Sequence, residues 1–233
     1  MKNLLLTVAR NYATTHNTIR YRSELRVIKK ILQDKLSSNL GEKVLDAGAG
    51  SGEMGKRLAK QGFISQLTGI EPFHIEPLKK NYSNLDGAEA VSGSLEKMPF
   101  EDASFDGILS TQVFEHIEDD KAAASEVSRV LKKGGHFLVS TPHPPEIYYN
   151  PGHVRPGYTE EEMKALFEPY GMELLETRYF LTLPTLEKLM SVRRMPLGGI
   201  YFPSAWVDLE KNQSDQERKE RQPYGIACLF RKK

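Results

Sequence analysis

From Lys43 onward, short β-branched or apolar runs alternate with stretches whose apolar residues recur at helical spacing. That alternation builds a mostly parallel sheet with helices on both faces, because each crossover between parallel strands carries a helix. Seven strands are expected, over Lys43–Ala47, Leu67–Glu71, Glu89–Ser92, Phe105–Ser110, His136–Thr141, Met172–Phe180 and Ile226–Arg231. Between strands four and five, Lys121–Lys132 places Ala122, Val127, Val130 and Leu131 at roughly helical spacing, and Gly134-Gly135 supplies a left-handed residue to end that helix. Thr159 with Glu162 three residues on forms a capping box, so Glu160–Pro169 reads as a helix with Met163, Leu166 and Phe167 turned inward.

Two segments lie outside this alternation. Ile19, Val27, Ile28, Ile31, Leu32 and Leu36 stand near helical period and give one amphipathic helix over Asn17–Leu36, ahead of the first strand. Leu183–Trp206 precedes the last strand and carries Leu186, Leu189, Met190, Met195, Ile200, Tyr201, Phe202 and Trp206. Its apolar side chains either roof a ligand pocket or pack against the sheet or the partner of a homodimer. Glu210–Gln222 mixes charge signs and lacks a large apolar residue, so it is expected to be a solvated helix or loop. One domain over residues 1–233 follows, with a helical lid at 1–40, a core at 41–181, an insertion at 182–216 and a final strand at 217–233.

Composition narrows the partners. The 32 Lys and Arg nearly cancel the 31 Asp and Glu, so no strong field steers the chain toward phosphate backbones, and nucleic acid is not expected as a partner. Cys228 is the only cysteine, which removes internal disulfides and Cys-based zinc clusters and suits the reducing cytoplasm. Leu4-Leu5-Leu6 is too short for the core of a signal peptide, and no apolar run reaches bilayer length, so no stable membrane insertion is expected.

The most informative stretch is Lys43-Val44-Leu45-Asp46-Ala47-Gly48-Ala49-Gly50-Ser51-Gly52, an apolar strand running straight into alternating glycines and then a helix. Residues without Cβ let the chain turn sharply, bring a ligand against the backbone, and pack the next helix close to the strand. A plain strand-to-helix turn needs fewer glycines, so a nucleotide-type cofactor loop is favoured. Gly50, Gly52 and Gly55 also satisfy G-x-G-x-x-G, with Glu71 about twenty residues on, so spacing alone leaves NAD open.

Val44 to Gly52 resembles the first motif of class I S-adenosylmethionine-dependent methyltransferases, an acidic residue followed by G-x-G-x-G. The resemblance continues, in the family's order, through Gly69-Ile70-Glu71-Pro72-Phe73, Gly93-Ser94-Leu95-Glu96-Lys97-Met98-Pro99-Phe100, Ser104-Phe105-Asp106-Gly107-Ile108, Val113-Phe114-Glu115-His116-Ile117 and Leu131-Lys132-Lys133-Gly134-Gly135. It implies a Rossmann-like α/β fold: a seven-stranded, mostly parallel sheet with helices on both faces and the last strand antiparallel. S-adenosylmethionine is the implied cofactor, with a small-molecule methyl acceptor. Asp46 would stand near the amino and sulfonium end, with Ala47 beside it and the amides of Gly48, Gly50 and Gly52 facing the methionine and ribose. Glu71 would accept from both ribose hydroxyls. Pro72 and Phe73 follow it, Phe73 either covering adenine or joining the core. Ser94 stands where many relatives carry Asp for the adenine amino group, which leaves the amide of Leu95 to read the ring. Ser110, Thr111 and Gln112 end the fourth strand, and at least one of them would border the cofactor.

Methyl transfer from a sulfonium needs an aligned acceptor and exclusion of water. For a hydroxyl acceptor a histidine base is suited, and His116, His143 and His153 are the candidates, His116 first. The Glu115-His116 pair also resembles ubiquinone-type O-methyltransferases, whose additional upstream glutamate helps bind a metal. Here that position holds Gln112, a poorer ligand for a hard cation, so no metal is expected. Arg155 is a candidate clamp for an anionic acceptor or else a solvated loop residue. The rival functions are an NAD-dependent oxidoreductase and a non-catalytic cofactor-binding protein on the same fold.

Overall fold

The computed structural model describes residues 19–147, 150–187, 210 and 212–233. The elements run α1 (Ile19–Leu36), β1 (Gly41–Ala47), α2 (Glu53–Lys60), β2 (Ile64–Glu71), α3 (Ile75–Tyr82), β3 (Ala88–Ser92), β4 (Phe105–Thr111), α4 (Asp120–Val130), β5 (Leu131–Pro142), α5 (Glu160–Phe167), β6 (Met172–Thr182), α6 (Asp215–Glu220) and β7 (Pro223–Lys232). Short 3-10 turns at Phe114–His116 and Glu168–Tyr170 follow β4 and α5. All seven strands form one sheet, ordered β3-β2-β1-β4-β5-β7-β6. Its β1–β5 pairings are parallel, while β7 lies antiparallel between β5 and β6.

Strand periodicity divides the core into two layers, because neighbouring side chains point to opposite faces. Leu45, Ile108, Phe137 and Val139 join α4 and α5 through Ala123, Val127, Met163 and Phe167. Val44, Leu109 and Leu138 face the other way, onto Ile28, Ile31 and Leu32 of α1 with Leu58 of α2 and Leu78 of α3. The expected capping box closes α5, with Thr159 and Glu162 satisfying each other's backbone amides. Chain reversal between β1 and β4 creates the crevice where open α/β sheets hold ligands, at the carboxyl ends of the strands.

Two local expectations are corrected. Helix α4 ends at Val130, with Leu131 already extended. Gly134, at φ 79°, instead turns an irregularity inside β5, where the pairing to β4 jumps from Phe105↔Leu131 to Gly107↔His136. The stretch after the insertion is not simply solvated, since Glu210 and Arg218 are buried. Glu210 accepts from the Leu181 amide at 2.8 Å and from the Thr182 amide, while Arg218 donates to the Glu210 carbonyl at 2.8 Å. This clasp pins the end of β6, where Leu181 has a left-handed φ of 58°. Residues 188–209, most of the expected insertion, and residues 1–18 of the expected lid lie outside the described residues. No helix among the described residues is long and apolar enough to cross a membrane.

Candidate functional site

Between β1 and α2 the chain makes a turn that only glycines tolerate. Gly52 has φ 78°, and a Cβ there would stand 2.3 Å from Tyr82 Cε1. Gly50 has φ 55°, but its Cβ position is clear of any atom within 4 Å, so the loop offers open space at that point. The loop amides, expected to face a ligand, are largely bonded within the protein. Gly48 N and Ala49 N both donate to the Ile70 carbonyl at 3.0 Å, and Gly52 N donates to Ala49 at 2.7 Å. Gly50 N donates to Glu71 Oε2 at 2.9 Å, which ties the loop to the end of β2.

Glu71 is therefore both a tether and a candidate ligand. Its Oε1 accepts from the amides of Phe73 at 3.0 Å and His74 at 3.2 Å, and the His74 ring nitrogen stands 3.4 Å away. A carboxylate has about four acceptor positions, so Oε2 keeps one free beside its bond to Gly50. Pro72 is exposed, and Phe73 is 85% exposed, which decides against a core role and leaves its ring uncovered beside that carboxylate.

Asp46 lies beneath the loop, 2% exposed. Its Oδ2 accepts from the Tyr82 hydroxyl at 3.0 Å, and Gly55 leaves room for it, since a Cβ there would meet Oδ2 at 2.4 Å. Burial pushes this carboxyl up to about 7, against the Tyr82 and Gly55 hydrogen bonds that favour the charged form. Ala47 is fully buried and its carbonyl accepts from the Ser110 hydroxyl at 2.9 Å, so Ser110 is a structural brace. Thr111 and Gln112, half-buried, reach the crevice side of β4. Ser94 is half-buried, its hydroxyl bonded to the Glu96 carboxylate, and Leu95 packs its side chain into the core.

Across the crevice, β4 leads into the 3-10 turn carrying Glu115 and His116. The loop after β5 is stitched onto that turn: Val154 N donates to the Glu115 carbonyl at 2.9 Å, and His116 Nδ1 lies 2.7 Å from the Gly152 carbonyl. A carbonyl only accepts, so Nδ1 carries the proton and Nε2 is left as a lone pair. Arg155 is neither clamp nor solvated: it donates to the carbonyls of Phe114 at 2.9 Å, Ile117 at 2.7 Å and Glu118 at 3.2 Å. It holds the turn that presents His116. His153 joins His116, with ring centroids 4.7 Å apart, whereas His143 packs against Tyr179 at 5.5 Å and burial lowers its pKa.

Two buried carboxyls complete this side. Glu24 of α1 accepts from Ser140 Oγ at 2.6 Å and Gln112 Nε2 at 3.1 Å, with Arg20 at 3.5 Å. Burial raises its pKa, and Arg20, Ser140 and Gln112 oppose the rise. Sequence reading passed over Glu24, although it stands in the apolar stripe of α1 between Tyr21 and Leu25, Ile28 and Ile31. Glu115 is fully buried, no other residue hydrogen-bonds either carboxyl oxygen, and burial pushes its pKa up to about 8 against the pull of its own backbone amide. Glu115, His116 and His153 bring donor atoms within 4.8 Å of one another. Most neighbouring nitrogens are engaged: His116 Nδ1 faces Gly152, His153 Nδ1 lies 2.7 Å from Glu146 and its Nε2 3.1 Å from Asn150.

Residues 45–139 match the family described as "Methyltransferase domain". That stretch carries the glycine turn, Glu71 and the Glu115-His116 turn, and the match agrees with the resemblance to class I S-adenosylmethionine-dependent methyltransferases. Relatives of the chain include the O-methyltransferase resE of Aspergillus sclerotiorum, 29% identical over 156 residues, 61% of this chain and 59% of that protein. A sarcosine/dimethylglycine N-methyltransferase of Aphanothece halophytica is 30% identical over 126 residues, 52% of this chain and 46% of that one. The chain thus spans about half the length of these relatives. The crystal structure of an S-adenosylmethionine-dependent methyltransferase from Thermotoga maritima has the same fold, with TM-score 0.64 at 18% identity and 100% of both chains covered.

Proposed function

We propose that the protein transfers the methyl group of S-adenosylmethionine to a hydroxyl of a small molecule, such as a sugar, quinol precursor, lipid or natural product, without a metal. The observation that carries the donor half is the tether of Gly50 to Glu71, which sets an open glycine turn and a carboxylate at the switch point of the sheet, beside the bare ring of Phe73. These residues fit the donor: Phe73 would cover adenine, Glu71 Oε2 would accept from the ribose, and the open space at Gly50 would admit the methionine portion. The bound donor supplies a methyl group already activated on a sulfonium.

What remains for the chain is positioning, proton removal and dryness. His116 Nε2, freed by the Nδ1 bond to Gly152, takes the hydroxyl proton as the acceptor oxygen attacks. Arg155 keeps the turn in place while this happens. One relative carries an O-methyltransferase name and another an N-methyltransferase name, so this type of donor core is compatible with more than one acceptor atom. The reading is tested by calorimetry. S-adenosylhomocysteine binding without a response to NAD supports it; binding of NAD alone refutes it.

A further inference from the structure

We propose that the carboxyls of Glu115 and Glu24, over the carboxyl ends of β4 and β5, form a subsite for an ammonium group carried by the methyl acceptor. The inference rests on the methyl-transfer reading above and adds a substrate class to it, a hydroxylated amine.

Gln112 and Ser140, both bonded to Glu24, stand at the ends of adjacent strands, where Thr111 pairs with Ser140. Glu115 follows three residues after Gln112 and carries the neighbouring carboxyl. Val113, between these two residues, packs against Gly48, where a Cβ would stand 2.6 Å from its Cγ1, so the cluster adjoins the glycine turn.

Glu115 is faced by Arg20 and Glu24 of α1, by Glu146 and His153 of the loop after β5, by His116 on its own turn and by Tyr224 of β7. Among the described residues Arg20 is the one permanently cationic side chain in that set, and it lies 3.5 Å from Glu24. Glu146 is matched by His153 at 2.7 Å. Glu115 is left over: fully buried, with neither oxygen bonded by any other residue. A buried carboxyl without a partner is costly, and it is retained where a ligand completes it.

The chemistry of the ligand follows from what is missing. An ammonium group has three donors and no acceptor, so on binding it satisfies both Glu115 oxygens and favours the ionised carboxyl, whose proton, held in the free protein by burial, passes to solvent. A neutral hydroxyl supplies one donor and no charge. A divalent metal needs four to six ligands, whereas among the described residues the free donors here are the Glu115 oxygens and His116 Nε2, with His153 facing Glu146 and Asn150. The arrangement then divides the work between two groups of one acceptor: the ammonium anchors at Glu115 and Glu24, and the hydroxyl lies against His116.

The test uses the full chain saturated with S-adenosylhomocysteine, whose binding is measured first, so that failure of the donor reading is seen separately. Amide correlation spectra at near-neutral pH are then followed during titration with methylammonium chloride, methanol and magnesium chloride. Amides around Glu115 and Gln112 are expected to respond to methylammonium at about tenfold lower concentration than to methanol. Glu115→Gln is expected to remove that preference and Glu24→Gln to reduce it; the second variant keeps the test open should the first fail to fold. Equal responses to methylammonium and methanol overturn the proposal. So does a saturable response to magnesium that a chelator reverses, which assigns the cluster to a metal instead.

Discussion

Replacing Glu115 by Gln offers a measurement whose size can be worked out beforehand. In the free protein the Glu115 carboxyl sits fully buried and bonded by no other residue, and burial lifts its pKa from 4.5 to about 8. The folded state therefore holds this proton more tightly than the unfolded state. Below the unfolded value the group is protonated in both states and contributes no pH dependence. As pH rises through the window between the two values, the unfolded chain ionises while the folded chain stays neutral, and folding stability falls. Above the folded value the loss is complete. At about 1.36 kcal/mol per pH unit, the loss comes to roughly 3 kcal/mol at neutrality and roughly 5 kcal/mol above pH 8. Gln has nearly the same shape and does not titrate, so the variant escapes the loss. Urea denaturation of both proteins across the range from about pH 4.5 to about 8.5 reads it directly, since other titrating groups cancel in the difference. The variant should gain steadily on the parent as pH rises, until neutral or alkaline solution makes it the more stable by several kcal/mol. A difference flat to within about 0.5 kcal/mol would refute the reasoning, because it would mean that the carboxyl is solvated or paired in the folded protein.

Three further outcomes are expected. His116→Ala should lower turnover roughly 100-fold or more while leaving S-adenosylhomocysteine affinity unchanged, and unaffected turnover removes it as the base. Gly52→Ala forces a side chain into φ 78° and against Tyr82 Cε1, so it should destabilise the fold by on the order of 2–4 kcal/mol, read by thermal or urea unfolding; a neutral effect would show that the turn relaxes freely. Glu210→Ala removes two amide hydrogen bonds that fix Leu181 and Thr182, with an expected cost of about 2–4 kcal/mol by the same measurement. Unchanged stability would make the clasp incidental.

The sheet was legible because its strands advertise themselves. Val44 and Leu45, Leu138 and Val139, and Ala227 and Cys228 are apolar pairs that enter opposite core layers, and a strand buried on both faces reads as a continuous apolar run. Gly134 was misread because a left-handed glycine serves a helix end and a strand irregularity equally well, and only the pairing to β4 distinguishes them. The proposed donor side is local in sequence: glycines, Glu71 and Phe73 lie within one strand-turn-helix unit and its neighbour. The proposed acceptor side is not, since Glu24 meets Ser140 across 116 positions and Arg155 meets Phe114 across 41. A charged residue in the apolar stripe of α1 was the one available sign. Glu210 and Arg218 gave none, as buried ion-bearing groups and solvated ones look alike until their partners are placed.

Everything on the donor side turns on the Glu71 carboxylate, so the most direct measurement is the affinity of S-adenosylhomocysteine for the parent protein and for Glu71→Ala, by calorimetry. Removing the charged acceptor should weaken binding by on the order of 2–4 kcal/mol, roughly thirtyfold to a thousandfold. Equal affinity in the two proteins would contradict the account, as would a parent protein that binds no adenosyl thioether at all.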